Sequence, residues 1–146
     1  MQKNTLIGCI AGMSLFVMPF AHAATICDVK TQLTEARTKL VDMLGMTDKA
    51  QQTEAKKAVD QASTALETTL ETLLKEGTLD KAKLTQFQET WAAFKKTREE
   101  EIIPAFQAGK MEVAKKLAST VQAERVKTMN EVIAGLDGDK CKTDKK

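Results

Sequence analysis

The sequence contains one histidine, two prolines and no tyrosine. The histidine, His22, lies in a short apolar leader, so the rest of the chain has none. Without histidine, Ser-His-Asp and Cys-His catalytic arrangements and the Glu-x-x-His pairs of carboxylate-bridged metal bundles are excluded. The chain also has no Cys-x-x-Cys pair, no C-x-x-C-H haem motif and no glycine-rich phosphate loop. The sequence therefore predicts no enzyme, no metal site and no cofactor.

The numbers of basic and acidic residues are nearly equal, at 22 and 20. A near-neutral protein has no bulk attraction for nucleic acid, so we expect no nucleic-acid partner. The acidic run Glu99-Glu100-Glu101 is interpreted as solvated, because successive residues on a helix point to different faces. Methionines near two predicted loops, Met43, Met46 and Met111, leave a copper site conceivable, but methionine as core filler is the favoured interpretation.

The first 23 residues have the pattern of a secretory signal peptide. Lys3 precedes an apolar run over about residues 6–18, and Ala21-His22-Ala23 forms an A-x-A site. We predict cleavage after Ala23; a retained anchor or a lipoprotein modified at Cys9 are the alternatives. No other stretch is long and apolar enough to cross a membrane. The mature protein is therefore expected to be soluble and periplasmic.

The remaining chain is rich in helix-forming residues, and its apolar residues recur at helical spacing. In the first segment the steps alternate between three and four residues, which is a heptad seam: Ile26, Val29, Leu33, Ala36, Leu40 and Met43. Four segments result, ending near glycines and capped in two places by Asp48 and Asp80: 26–45, 48–76, 80–108 and 110–135. Because the connections are short, each helix must run antiparallel to the last. We predict an all-α, antiparallel up-down-up-down four-helix bundle over residues 24–141, with a short disordered tail at 142–146.

Two details of the later segments follow from the same pattern. Pro104 lies inside the third segment, where it removes a backbone donor, so we expect a kink that directs Phe106 to the core. The apolar stripe of the fourth segment should also face the core: Ala114, Leu117, Val121, Met129, Val132 and Leu136.

Two cysteines, Cys27 and Cys141, lie beyond the leader. An even number of antiparallel helices returns the chain to its starting end, so these two cysteines should be neighbours. In an oxidising compartment two such thiols typically form one disulfide. A metal site or a redox pair does not fit, because histidine and a Cys-x-x-Cys pair are missing. The predicted disulfide closes a loop of about 115 residues.

The three arginines, Arg37, Arg98 and Arg125, contrast with nineteen lysines. All three lie within predicted helices, at heights similar to that of Trp91. A guanidinium holds a carboxylate with a planar fork, so these four residues are the candidate ligand-binding residues. The simpler interpretation is that Trp91 is a core residue and that the arginines reach solvent or pair with nearby carboxylates: Glu99, Glu101 and Glu124.

The stretch TWAAFKKTREEEIIPAFQAGKMEVAKKLASTVQAERVKTMNEVIAGL resembles the second half of the four-helix-bundle sensory domain of bacterial methyl-accepting chemotaxis receptors. The resemblance rests on Trp91 and Phe94, on the Ala108–Glu112 turn, and on Ala114 and Leu117 after it. LTEARTKLVDML is similar to the first helix of that domain, including Arg37. The resemblance implies sensor-like binding of a small molecule, often an organic acid or amino acid, or of a membrane signalling partner, and implies a homodimer.

Those receptors carry a membrane helix on each side of the bundle, followed by a signalling region. Here the predicted signal peptide, if cleaved, would take the place of the first membrane helix. We therefore hypothesise that the Cys27–Cys141 disulfide holds the ends of the bundle together, as the two membrane helices do in the receptors.

A periplasmic chaperone or stress adaptor is the alternative function. LTQFQ (residues 84–88) matches the L-T-x-x-Q motif of the stress proteins Spy and CpxP, and LTEAR (residues 33–37) nearly does. That family does not usually close its chain with a terminal disulfide.

Overall fold

The computed structural model describes residues 23–138 and residue 141. In this part of the chain every regular element is helical: α1 (Ile26–Leu44), α2 (Lys49–Glu76), α3 (Lys81–Thr97), one turn of π-helix (Arg98–Ile102), α4 (Ile103–Gln107), α5 (Met111–Ser119) and α6 (Val121–Ala134). The predicted four-helix bundle is confirmed. The third and fourth segments are each divided into shorter pieces. The predicted signal peptide, apart from Ala23, and the tail at 142–146 lie outside the described residues.

Local sequence signals set the helix boundaries. Thr25 and Asp28 form a reciprocal capping box at the start of α1. Asp48 and Asp80 accept hydrogen bonds from backbone N–H groups in the first turns of α2 and α3, as predicted. At the other end of α2, Gly77 adopts φ 64°, a left-handed conformation that glycine reaches without steric cost.

The third segment departs from α-helical geometry before Pro104. The N–H of Ile103 donates to the carbonyl of Arg98, which is the five-residue spacing of a π-helix. Pro104 has no N–H to donate to the carbonyl four residues earlier, so a regular α-helical bond is missing there. The expected irregularity therefore takes the form of a π-turn just before the proline. Phe106 is buried, as the sequence predicts.

The fourth segment is interrupted at Thr120, whose φ of −111° and ψ of −85° are not helical. The break changes which residues of α6 face the core. Val121 is 40% exposed, so its predicted place in the core was wrong. Gln122 is buried in its stead, at 2% exposure. A non-helical residue shifts the helical register, and a pattern read as one continuous helix cannot anticipate that shift.

The core fills the space between all four segments. In α1 the predicted residues at heptad spacing are buried, including Val29, Leu33 and Ala36. Large side chains of the other segments complete the core, among them Leu66, Leu70, Phe87, Trp91, Phe94 and Met129.

The helices are arranged as two hairpins. One hairpin is α1 with α2, and the other is α3 and α4 with α5 and α6. Packing is extensive within each hairpin and sparse between them. The interface between the hairpins has two sides, one where α1 faces α5 and α6, and one where α2 faces α3 and α4. We call these the α1–α6 side and the α2–α4 side.

The two cysteines meet at the end of the α1–α6 side. Cys27 and Cys141 lie at disulfide distance, with Cα atoms 5.4 Å apart and a sequence separation of 114. The ammonium of Lys30 donates to the carbonyl of Gly138 at 3.2 Å, which also holds the turn after α6 on α1. The proximity that the helix count predicts is therefore present.

Candidate functional site

A groove of about 450 Å³ opens on the α1–α6 side, where the last turns of α1 face α5 and the start of α6. Its floor is formed by Leu40, Leu44 and Phe94, all buried. Val41, Ala118 and Val126 add further apolar surface, and Val41 is 54% exposed. This volume lies in the range of small-molecule sites, which in bundles form between helices. The sparse packing between the hairpins leaves the space open.

Two positively charged side chains line the groove, one from each hairpin. Arg37 comes from α1 and Lys115 from α5, and both are exposed. Among the described residues, neither side chain forms a hydrogen bond or an ion pair. The lining includes no acidic residue. The groove therefore combines an apolar floor with two uncompensated positive charges, a combination that suits an anionic group attached to an apolar body.

Gln122 is the buried polar residue of the groove. Its Nε2 donates to the backbone carbonyl of Phe94 at 2.8 Å, and its Oε1 accepts from Nη1 of Arg125 at 2.9 Å. The same Nη1 donates to Oγ1 of Thr97 at 2.7 Å. Arg125 therefore lies behind the groove, where it holds Gln122 and the last turn of α3 in place. The apolar pattern of the sequence does not include Gln122, although this residue follows Ala118 by four positions and precedes Met129 by seven.

Arg98 occupies a separate position inside the bundle. It is 1% exposed, and its Nη1 donates to Oγ of Ser63 on α2 at 2.7 Å. Its Nε donates to Oε1 of Glu99 at 2.8 Å, and Glu99 also pairs with Lys56 at 3.2 Å. These contacts hold the guanidinium inside the bundle, outside the lining of the groove, and they link the π-turn to α2.

Trp91 packs in the core and bonds across to α2. Its ring stacks on that of Phe94 with centroids 5.2 Å apart. Its Nε1 donates to Oε1 of Glu67 at 2.9 Å, and the same oxygen accepts from Lys95 at 2.6 Å. Trp91 thus reaches the groove only through the ring of Phe94.

The four candidate residues therefore do not converge on one cavity. Arg37 lines the groove, and Arg125 supports it through Gln122. Arg98 and Trp91 make their polar contacts with α2 or with Glu99. Lys115 belongs to the groove but could not be selected from nineteen lysines by sequence alone.

Two further features of the described helices bear on function. None of them is long and apolar enough to cross a membrane. Across residues 23–138 and 141, no three histidine, cysteine, aspartate or glutamate side chains come together in a group that could hold a metal ion.

A known protein family matches most of the chain. The family described as "Four helix bundle sensory module for signal transduction" matches residues 21–137. This range includes all the helices of the bundle and every residue of the groove. No curated protein and no solved structure gives a significant match.

Proposed function

Because the chain belongs to the family of four-helix-bundle sensory modules for signal transduction, we propose that it is a sensor that binds a small organic anion in the groove. The observation that carries the proposal is the pair of unpartnered cations, Arg37 and Lys115, above an apolar floor. An exposed cation without a carboxylate partner costs nothing in water and is available to a ligand. The ligand class is an organic acid or an amino acid.

Each part of the groove has a distinct role in this proposal. The guanidinium of Arg37 binds the carboxylate through two parallel hydrogen bonds, and Lys115 adds a point charge from the opposite hairpin. Leu40, Leu44 and Phe94 contact the apolar part of the ligand. Gln122 holds the carbonyl of Phe94 and so keeps that ring at the floor. A bound anion would therefore bridge α1 and α5.

The proposal includes a periplasmic location and a membrane signalling partner. The support is the type of family and the pair of cysteines at disulfide distance, which is typical of proteins in oxidising compartments. A homodimer, as in the receptors that the sequence resembles, is part of the same proposal.

A thermal-shift screen of organic acids and amino acids tests the binding. A ligand at 100 times its Kd stabilises the native state by about 2.7 kcal/mol. For a domain of this size the melting temperature should rise by on the order of 10 °C. Arg37→Gln and Lys115→Gln should each reduce the shift in melting temperature, because each removes a positive charge that binds the anion. Both side chains are exposed, so their loss leaves the core intact. Lys75→Gln, an equal charge change at the far end of α2, is the matched control.

The same protein should be tested for prevention of client aggregation. A screen without any thermal shift, together with suppression of aggregation at substoichiometric protein, would contradict the sensor proposal and favour the chaperone alternative. A shift that survives in both groove variants would show that the ligand binds elsewhere.

A further inference from the structure

The α2–α4 side of the hairpin interface contains a second opening, which the proposed function does not use. This cleft has a volume of about 420 Å³ and lies where the first turns of α2 meet the end of α1 and α4. Its floor is apolar and consists of the buried side chains of Met43, Ile103 and Phe106. Because α1 lies between them, the groove and the cleft are separate.

Three lysines line this cleft, and no acidic residue does: Lys49, Lys56 and Lys57. Among the described residues Lys49 forms no ion pair or side-chain hydrogen bond. Lys56 and Lys57 pair with carboxylates outside the lining, whose side chains are 38% to 71% exposed. Ion pairs at such exposure contribute little, so an anion in the cleft can compete for these ammonium groups.

The start of α2 adds to the positive charge. Apart from the capping residue Asp48, the first turn of α2 contains no acidic residue, and it begins with Lys49. A cation at the positive end of a helix dipole is unfavourable, and an anion there is favourable. A ligand anion beside Lys49 would therefore offset both the dipole and the neighbouring lysines.

We propose that the cleft binds a small dianion with an apolar body, of the class of aromatic dicarboxylates and aryl phosphates. The two negative charges of the ligand complement the positive charge of the lysine ammonium groups, which bind phosphate and carboxylate as point charges. The apolar body packs on Met43, Ile103 and Phe106, and the volume suits a ligand of this size. Because α2 and α4 belong to different hairpins, such a ligand links the two halves of the bundle.

Calorimetric titration of the full-length protein with phthalate and with phenyl phosphate, at constant ionic strength, tests the proposal. Either dianion should bind saturably at one site per chain that persists in Arg37→Gln, which alters the groove and not the cleft; which of them binds more tightly distinguishes a carboxylate ligand from a phosphate ligand. Two ligands serve as controls: inorganic phosphate lacks the apolar body, and benzoate lacks the second charge. Each should bind at least about ten-fold more weakly than the dianions.

The double variant Lys49→Gln/Lys57→Gln should weaken binding of the dianion about ten-fold. Lys56 is left unchanged because it pairs with Glu99, which holds Arg98. Lys75→Gln/Lys81→Gln carries the same charge change where α2 ends and α3 begins, and should bind like the wild type. Circular dichroism of both variants checks that they are folded.

Three results would overturn the proposal. Saturable binding of neither dianion would show that the cleft is not a site. An equal loss in both double variants would reduce the effect to general electrostatics. Loss of dianion binding in Arg37→Gln, with no loss in Lys49→Gln/Lys57→Gln, would place the dianion in the groove instead.

Discussion

Replacing Cys141 with serine tests how strongly the link between the two ends stabilises the bundle. The bond joins residues separated by 114 positions, so it closes almost the whole described chain into one loop. In the chain-entropy model a loop of this length removes about 16 cal/mol/K from the unfolded state. At 25 °C this corresponds to about 4.8 kcal/mol. This is a large share of the stability of a typical domain.

The native state should change much less than the unfolded state. The ammonium of Lys83 donates to the carbonyl of Gly135 at 2.6 Å, and that of Lys30 to the carbonyl of Gly138 at 3.2 Å. Leu136 is buried in the core between these two contacts. These interactions do not need the disulfide, so the end of α6 should stay docked in the variant and the helical circular dichroism should persist.

Urea unfolding of the wild type and of Cys141→Ser measures the difference. We expect a loss of about 3–5 kcal/mol in the free energy of unfolding, with a steeper denaturant dependence because the unfolded chain exposes more surface. Cys27→Ser/Cys141→Ser and the reduced wild type are the controls and should match the single variant. Equal stability of the oxidised wild type and the variant, or two free thiols in protein recovered from its native compartment, would refute the reasoning.

Other changes test the core, the buried arginine and a helix end, each by urea unfolding. Leu66→Ala should cost about 2–5 kcal/mol because this side chain is fully buried, and a loss under 1 kcal/mol would contradict the packing. Arg98→Ala should cost about 2–4 kcal/mol, and Arg98→Met, which keeps most of the volume, should recover part of it. Gly77→Ala should cost about 1–2 kcal/mol through backbone strain alone, since nothing lies within 4 Å of an added Cβ; an unchanged stability would show that Gly77 is not left-handed.

The helices could be predicted because their signals are local and repeated. In α1 the residues at heptad spacing, such as Val29 and Leu33, are buried as predicted. The caps Asp48 and Asp80 act on N–H groups three residues away. Signals of this range do not depend on the rest of the fold, so a single sequence contains them.

Pro104 indicated an irregularity in the third segment, but the form of the irregular turns could not be predicted in the same way. The π-turn begins at Arg98, whose partner Ser63 lies 35 residues earlier in the chain. The break at Thr120 moves Gln122 into the core, where its partner is the carbonyl of Phe94. Both features depend on contacts between helices, and the helical repeat alone contains no information about them.

The candidate site was only partly predictable, because it also depends on contacts between helices. Arg37 could be selected because the chain has only three arginines. In addition, its segment is similar to the first helix of the sensory domain of chemotaxis receptors. Lys115 could not, because its relevance comes from facing Arg37 across a gap between hairpins. That gap follows from the sparse packing of α1 against α5 and α6, a property of the assembled bundle.

The disulfide and the groove lie at opposite ends of the same side of the bundle. Cys27 lies in the first turn of α1, whereas Leu44 and Gly45 at its other end line the groove, about 25 Å away at the rise of an α-helix. At the cysteine end α1 is joined to the chain after α6. At the groove end the chain connects α1 to α2 and α4 to α5, so no covalent link joins α1 to α5. The architecture therefore fixes one end of the α1–α6 side and places no covalent constraint on the spacing of Arg37 and Lys115, between which the proposed anion would bind.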